Sequence, residues 1–116
     1  MKAQKTYHTE RMAEMLRIEL SQMIEGEVRD PRVGFATVTE VRMTPDQRNA
    51  RVFVSVLGDE EQEKQTMLGL VAAANFLRHG LAEALSLRRT PELVFELDHS
   101  QQTGGRVEEL LKRIKK

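Results

Sequence analysis

The segment from Asp59 to Leu85 constrains the fold most, because its apolar residues keep helical spacing for longer than a small domain can accommodate. The repeating positions are Met67, Leu70, Val71, Ala74, Leu77, Leu81, Ala84 and Leu85. An unbroken helix here would be about 40 Å long, whereas a compact chain of this size has a radius of gyration of about 13 Å. We therefore expect the segment to bend near its middle, at Gly69, Asn75 or Gly80.

Shorter patterns surround this segment. Asp59 is followed by glutamates and predicts the capped start of the long helical segment. Apolar residues at three- and four-residue steps predict an earlier amphipathic helix, and alternation with Thr and Val predicts strands. The predicted elements are a helix over about 9–25, strands over 35–43 and 49–57 joined by a turn at 44–47, and a strand over 92–98.

The order helix, strand, strand, helix, helix, strand predicts an α+β domain over residues 1–99, with a three-stranded sheet covered by helices on one face. Residues 100–116 are expected to form a basic amphipathic C-terminal tail. This order matches the type II KH domain, an RNA-binding fold that clamps nucleotide backbone with a GxxG loop between two helices. No GxxG occurs here, and Ala72-Ala73-Ala74-Asn75 occupies the corresponding place. A plain alanine-rich packing face is the alternative interpretation.

Composition excludes several classes of protein. The chain has no cysteine, no apolar run long enough to cross a bilayer, and a formal net charge of zero from 18 basic and 18 acidic side chains. We therefore expect a cytoplasmic protein with no membrane partner. His8, His79 and His99 lack metal-ligand spacing, and Asp98-His99-Ser100 are neighbours that cannot form a proton relay. We expect no enzyme activity, no cofactor and no small-molecule substrate.

Basic residues are concentrated in three places, where they are candidates for phosphate contact or for ordinary solvated surface. The candidate RNA-binding residues are Arg29, Arg32, Ala73, Asn75, Arg78, His79, Arg88, Arg89, Lys112 and Arg113. Because Phe35, Phe76 and Phe95 lie in apolar patterns, the sequence does not favour a base-stacking platform. A protein-interaction adaptor, recruiting partners through the acidic cluster 59–63 and the tail, is the alternative function.

Several blocks of the chain together resemble the ribosome-binding factor A family over nearly its whole length. The blocks are Arg11-Met12-Ala13-Glu14, Arg17-Ile18-Glu19-Leu20, Asp30-Pro31-Arg32-Val33-Gly34, Thr37-Val38-Thr39-Glu40-Val41, Ala50-Arg51-Val52-Phe53-Val54-Ser55-Val56-Leu57-Gly58, Phe76-Leu77-Arg78, Leu87-Arg88 and Pro91-Glu92-Leu93-Val94-Phe95. Their order and spacing make the match specific.

The resemblance implies a bacterial type II KH protein that binds 16S rRNA on immature small (30S) ribosomal subunits. It further implies a non-catalytic role in late maturation and 16S rRNA 5′ end processing, including cold adaptation, by a monomer. The family has an interrupted Ala-x-Gly kink in place of GxxG, and the matching triplet is Ala73-Ala74-Asn75. Because asparagine replaces the glycine, we expect Asn75 to supply a left-handed conformation.

Overall fold

The computed structural model describes residues 2–26, 28 and 30–99, with side chains from residue 8 onward. Its elements are α1 (Lys2–Gly26), β1 (Ala36–Met43), β2 (Asn49–Val56), α2 (Glu60–Ala72), α3 (Ala74–Leu85) and β3 (Glu92–Leu97). The predicted α+β order is confirmed. Helix α1 begins at Lys2, well before its expected start near Thr9. The predicted tail lies outside the described residues.

The three strands form one sheet in the order β1-β2-β3, in which β1 and β2 are antiparallel and β2 and β3 are parallel. The alternating residues of β2 behave as predicted, since Ala50, Val52, Val54 and Val56 are all buried against the helices. A bulge between Val38 and Glu40 leaves Thr39 out of register. Its hydroxyl instead donates to Oδ2 of Asp98 over 2.6 Å, which links β1 to the end of β3.

Leucines from all three helices cover the buried face of the sheet. Leu16 and Leu20 of α1, Leu70 of α2, and Leu77 and Leu81 of α3 have no exposed surface. Each contributes about 2 to 3 kcal/mol by leaving water, so the helices are held to the sheet chiefly by apolar burial. This packing fixes α2 and α3 as a pair on one side of the sheet.

Helix α2 begins where the sequence predicts. Asp59 accepts a hydrogen bond from the Gln62 amide at Oδ1 over 2.9 Å, and the Asp59 amide donates to Oε1 of Gln62 over 2.8 Å. This reciprocal capping box satisfies two amides that the helix itself leaves without acceptors. Gly58 precedes it with a φ of 140°, and a Cβ there would lie 2.2 Å from Gln62 Oε1. Glycine is therefore required at this turn.

Candidate nucleic-acid interface

The long helical segment bends at Ala73, which lies between α2 and α3 with φ −87° and ψ 1°. The bend is confirmed. It falls on Ala73, the first residue of the triplet Ala73-Ala74-Asn75 that the family resemblance indicated, and not on Gly69, Asn75 or Gly80. Gly69 stays within α2 because a loop packs against it, and Gly80 stays within α3 facing the Met23 side chain. Small residues at these positions allow close packing and do not break the helix.

Asn75 does not take the left-handed conformation expected of it. It is the second residue of α3, and the non-glycine residues with positive φ in the described chain are Gln47 and Ser86. The single residue Ala73 absorbs the change of direction, so no left-handed residue is needed beside it. Ala73 has no polar side chain, and α3 begins without a side-chain cap. Asn75 is exposed and, as the second residue of α3, lies at the positive end of the helix dipole.

Arg32 lies beside this bend because two residues of α2 hold its loop in place. A Cβ on Gly69 would lie 2.7 Å from Val33 Cγ2 and 3.3 Å from Arg32 Cβ, so glycine permits the close approach. The buried Thr66 hydroxyl accepts from the Gly34 amide at 3.2 Å and donates to the Arg32 carbonyl at 3.3 Å. The loop thereby places Arg32 one helical turn before the bend.

The Arg32 guanidinium is paired but not buried. Its Nε and Nη2 atoms donate to Asp30 over 3.0 and 2.7 Å, and 42% of its side chain remains exposed. These hydrogen bonds, with one from the Arg32 amide, lower the pKa of Asp30 to about 2. Asp30 therefore stays ionised at neutral pH and fixes the direction of the guanidinium. The third guanidinium nitrogen of Arg32, Nη1, has no hydrogen bond within the described residues.

The outer surface of the bend is more apolar than the sequence suggested. Phe76 on the first turn of α3 is 52% exposed, and Val71 at the end of α2 is 61% exposed. Phe35 is 81% exposed, so the apolar patterns that contain Phe35 and Phe76 do not place their rings in the core. Phe35 directly precedes β1, whose buried residues begin at Ala36, and Phe76 directly precedes the buried Leu77 of α3. The exposed His79 follows one turn after Phe76 and contacts Glu83 at 3.1 Å.

Arg78 holds the fold together through its guanidinium. Its Nε donates to the Pro91 carbonyl over 3.1 Å, its Nη2 donates to the Thr90 carbonyl over 3.0 Å, and Glu92 lies 3.4 Å from Nη1. These contacts join α3 to the start of β3. The main role of Arg78 at the candidate interface is therefore to hold α3 in place beside the sheet. Phosphate contact by Arg78 stays a prediction.

Arg88 and Arg89 lie at the opposite end of α3. Ser86 ends the helix with φ 53°, and the two arginines line a groove with Gln47 and Pro91. Both are exposed, and neither has an ion pair or hydrogen bond within the described ranges. Among the candidates that the structure describes, their charges are therefore the most available for an external phosphate.

Arg48 joins this group and was missed in the sequence. Its side chain is 71% exposed and lies 4.0 Å from Asp46, measured from Nε to Oδ2, and its carbonyl accepts from the Glu92 amide over 2.8 Å. That contact follows from the parallel pairing of β2 with β3, which local patterns do not reveal. Only the strand order brings the hairpin turn beside Arg88.

The structure thus gathers the candidate residues into two groups, one at the bend and one at the far end of α3. The helix has 12 residues, so the groups are about 18 Å apart. The surface between them is poor in acids, since Glu83 is the single acidic residue from Lys64 to Pro91. Arg29, Lys112 and Arg113 lie outside the described residues.

The open face of the sheet has a different electrostatic character, because its charges neutralise one another. Arg51 pairs with Glu96 over 2.5 Å, Arg42 pairs with Glu40 over 3.0 Å, and both guanidiniums lie within about 5 Å of the Phe53 ring centre. Internal pairing leaves this face little net attraction for an anion. The helical side is therefore the better candidate for RNA.

The described residues favour neither a metal site nor a hydrolytic one. No cluster of three or more His, Cys, Asp or Glu residues that could hold a metal occurs in the described ranges. Asp98 accepts from Thr39 over 2.6 Å, and His99 Nε2 lies 3.0 Å from Glu63. None of the described helices is both long and apolar enough to span a membrane.

Comparisons with known proteins agree with the architecture. A sequence model of the family described as Ribosome-binding factor A matches residues 8–111. Ribosome-binding factor A of Koribacter versatilis is 46% identical over 110 residues, covering 95% of this chain and 89% of the relative. The protein of that name from Caldanaerobacter subterraneus is 40% identical over 111 residues, covering 95% and 91%.

Structures of ribosome-binding factor A are similar in fold to this chain. The crystal structure of ribosome-binding factor A from Thermus thermophilus matches with a TM-score of 0.69 at 27% identity, covering 77% of this chain and 93% of that one. A homology model of the Thermus thermophilus factor, fitted into a cryo-EM map of its complex with 30S, matches with a TM-score of 0.63 at 29% identity and covers 75% and 91%.

Proposed function

Since the chain belongs to the ribosome-binding factor A family, we propose that it binds 16S rRNA on immature small ribosomal subunits. It acts there without catalysis, as a cytoplasmic monomer, and supports late maturation, including processing of the 16S rRNA 5′ end and adaptation to cold. The related Thermus thermophilus factor has been placed in a complex with 30S, which supports the choice of partner.

One observation supports the RNA interface most: two arginines without acidic partners in the described chain stand at one end of an acid-poor helical surface. Arg88 and Arg89 provide this charge at the far end of α3, whereas Arg32 near the bend is paired with Asp30 and can offer only the donors that this pair leaves unused. Phosphate contacts of this kind provide affinity and position a protein on RNA without reading its sequence. The separation of about 18 Å means that one RNA must follow α3 to reach both groups.

In the proposed mechanism the protein acts by occupying a segment of rRNA. A protein bound along this surface holds its rRNA segment in an immature arrangement until the protein is released. Arg29, Lys112 and Arg113 are expected to add phosphate contacts. Arg78 maintains the surface by tying α3 to the residues before β3.

Sucrose-gradient sedimentation of a cell extract tests this proposal. The wild-type protein is expected to peak with free small subunits and to leave that peak in high salt. Arg88→Gln/Arg89→Gln is expected to shift toward the top of the gradient while keeping its thermal stability. Arg17→Gln/Arg42→Gln removes the same charge beside β1, where both arginines pair with glutamates, and should stay with the subunits.

The adaptor alternative gives a different result. The acidic cluster on which it depends is partly engaged, because Asp59 caps α2 and Glu63 contacts His99. If the wild-type protein remained at the top of the gradient in gentle salt but still captured protein partners, the rRNA proposal would be wrong.

A further inference from the structure

Phe76 presents an aromatic ring to solvent at the point where the proposed RNA surface begins. It lies on the first turn of α3, is 52% exposed, and follows the exposed Asn75. The buried positions Leu77 and Leu81 already anchor this helix to the core. The exposed part of the Phe76 ring therefore contributes little to the fold.

We infer that Phe76 stacks on an unpaired nucleobase of the bound RNA, so that the bend is a base-binding subsite. This rests on the proposed function and adds a ligand to it, since phosphate contact alone does not require an aromatic surface. Stacking on aromatic side chains is a common way for proteins to hold unpaired bases. Asn75, one position earlier, has donor and acceptor groups for the edge of a base.

The surroundings favour RNA over a protein partner. No acid occurs from Lys64 to Ala82, and the charge of the nearby Asp30 is neutralised by Arg32, so the local charge does not repel a phosphate backbone. The exposed apolar surface here consists of Phe76 with Val71 and Leu68. Three partly exposed side chains supply much less than the roughly 800 Å² that each partner gives to a standard protein interface.

The side chain at position 76 can be varied to separate stacking from apolar contact. Phe76→Leu keeps an apolar side chain but removes the ring, and it is expected to weaken binding to purified small subunits by about 5- to 150-fold. Phe76→Trp keeps a ring and should retain wild-type affinity. Neither change removes a phosphate contact, so the slope of log affinity against log salt should stay unchanged. A melting temperature equal to that of the wild type in both variants would show that the fold is intact.

Phe76→Trp also reports stacking directly, because the natural chain contains no tryptophan. Protein-free 16S rRNA is the probe, and stacking should quench the fluorescence of the new tryptophan. Val94→Trp is the matched control, since Val94 is 46% exposed on the open face of the sheet and should show little quenching.

The outcomes distinguish the inference from the proposed function. Failure of the wild-type protein to bind subunits or rRNA would overturn both. Normal binding by Phe76→Leu together with an unquenched Phe76→Trp would overturn stacking alone. If Phe76→Leu, Val71→Ala and Leu68→Ala all impaired subunit binding without quenching by rRNA, the patch would be a protein contact and the inference would again be wrong.

Discussion

Replacement of Thr66 by valine should destabilise the loop that holds Arg32 at the bend. Thr66 is 1% exposed, and its hydroxyl has two backbone partners, the Gly34 amide and the Arg32 carbonyl. Valine has nearly the same shape and cannot form either hydrogen bond. At about 1 kcal/mol for each hydrogen bond removed, the free energy of unfolding should fall by about 2 kcal/mol, which corresponds to about 8 °C in melting temperature for a chain of 116 residues.

Urea denaturation followed by circular dichroism measures this decrease, and Thr66→Ser is the matched control. Serine keeps the hydroxyl and lacks one methyl group, so it should cost about 1 kcal/mol. The reasoning fails if Thr66→Val unfolds at the wild-type urea concentration, or if serine destabilises the protein more than valine does.

Three further predictions concern the loops and the end of α3. Ser86→Gly should raise the free energy of unfolding by about 1 kcal/mol, because Ser86 has φ 53°, and an unchanged urea midpoint would contradict this. Arg78→Met removes the guanidinium that binds two backbone carbonyls, so the free energy of unfolding should fall by about 2 to 3 kcal/mol. A melting curve close to that of the wild type would exclude the anchoring role. The Asp30 pKa is lowered to about 2, so its ion pair stabilises the fold above about pH 4 and is lost as pH falls toward 2. Asp30→Asn should flatten that part of the stability profile, and identical acid titrations of the two proteins would refute it.

Much of the fold could be predicted from local sequence. Alternation in β2 correctly identified its buried face, and the residues around Asp59 correctly located the start of α2. The length of the helical segment made a bend necessary. These features depend on neighbours in sequence or on the size of the domain, so periodicity and turn chemistry were sufficient.

The details of the candidate site depend on contacts between distant segments. Gly69 was expected to bend the helix, but it faces Val33 across the loop. The role of Arg78 emerges only once α3 lies beside Pro91. Phe76 and Leu77 lie in the same apolar pattern, but adjacent residues of a helix point in different directions. Leu77 is therefore buried in the core, while Phe76 is exposed. The family pattern correctly located the kink in Ala73-Ala74-Asn75, but the break falls on Ala73, and Asn75 does not take the left-handed conformation expected of it.

The most direct measurement is the affinity of purified small subunits for the wild-type protein and Arg88→Gln/Arg89→Gln over a range of salt concentrations. If these arginines contact phosphates, the double variant should bind more weakly, and its log affinity should fall less steeply with log salt, by roughly 0.7 to 0.9 for each phosphate that is no longer neutralised. The charge-matched Arg17→Gln/Arg42→Gln should retain the wild-type slope. Equal affinities and slopes for the wild type and Arg88→Gln/Arg89→Gln would contradict the proposed interface.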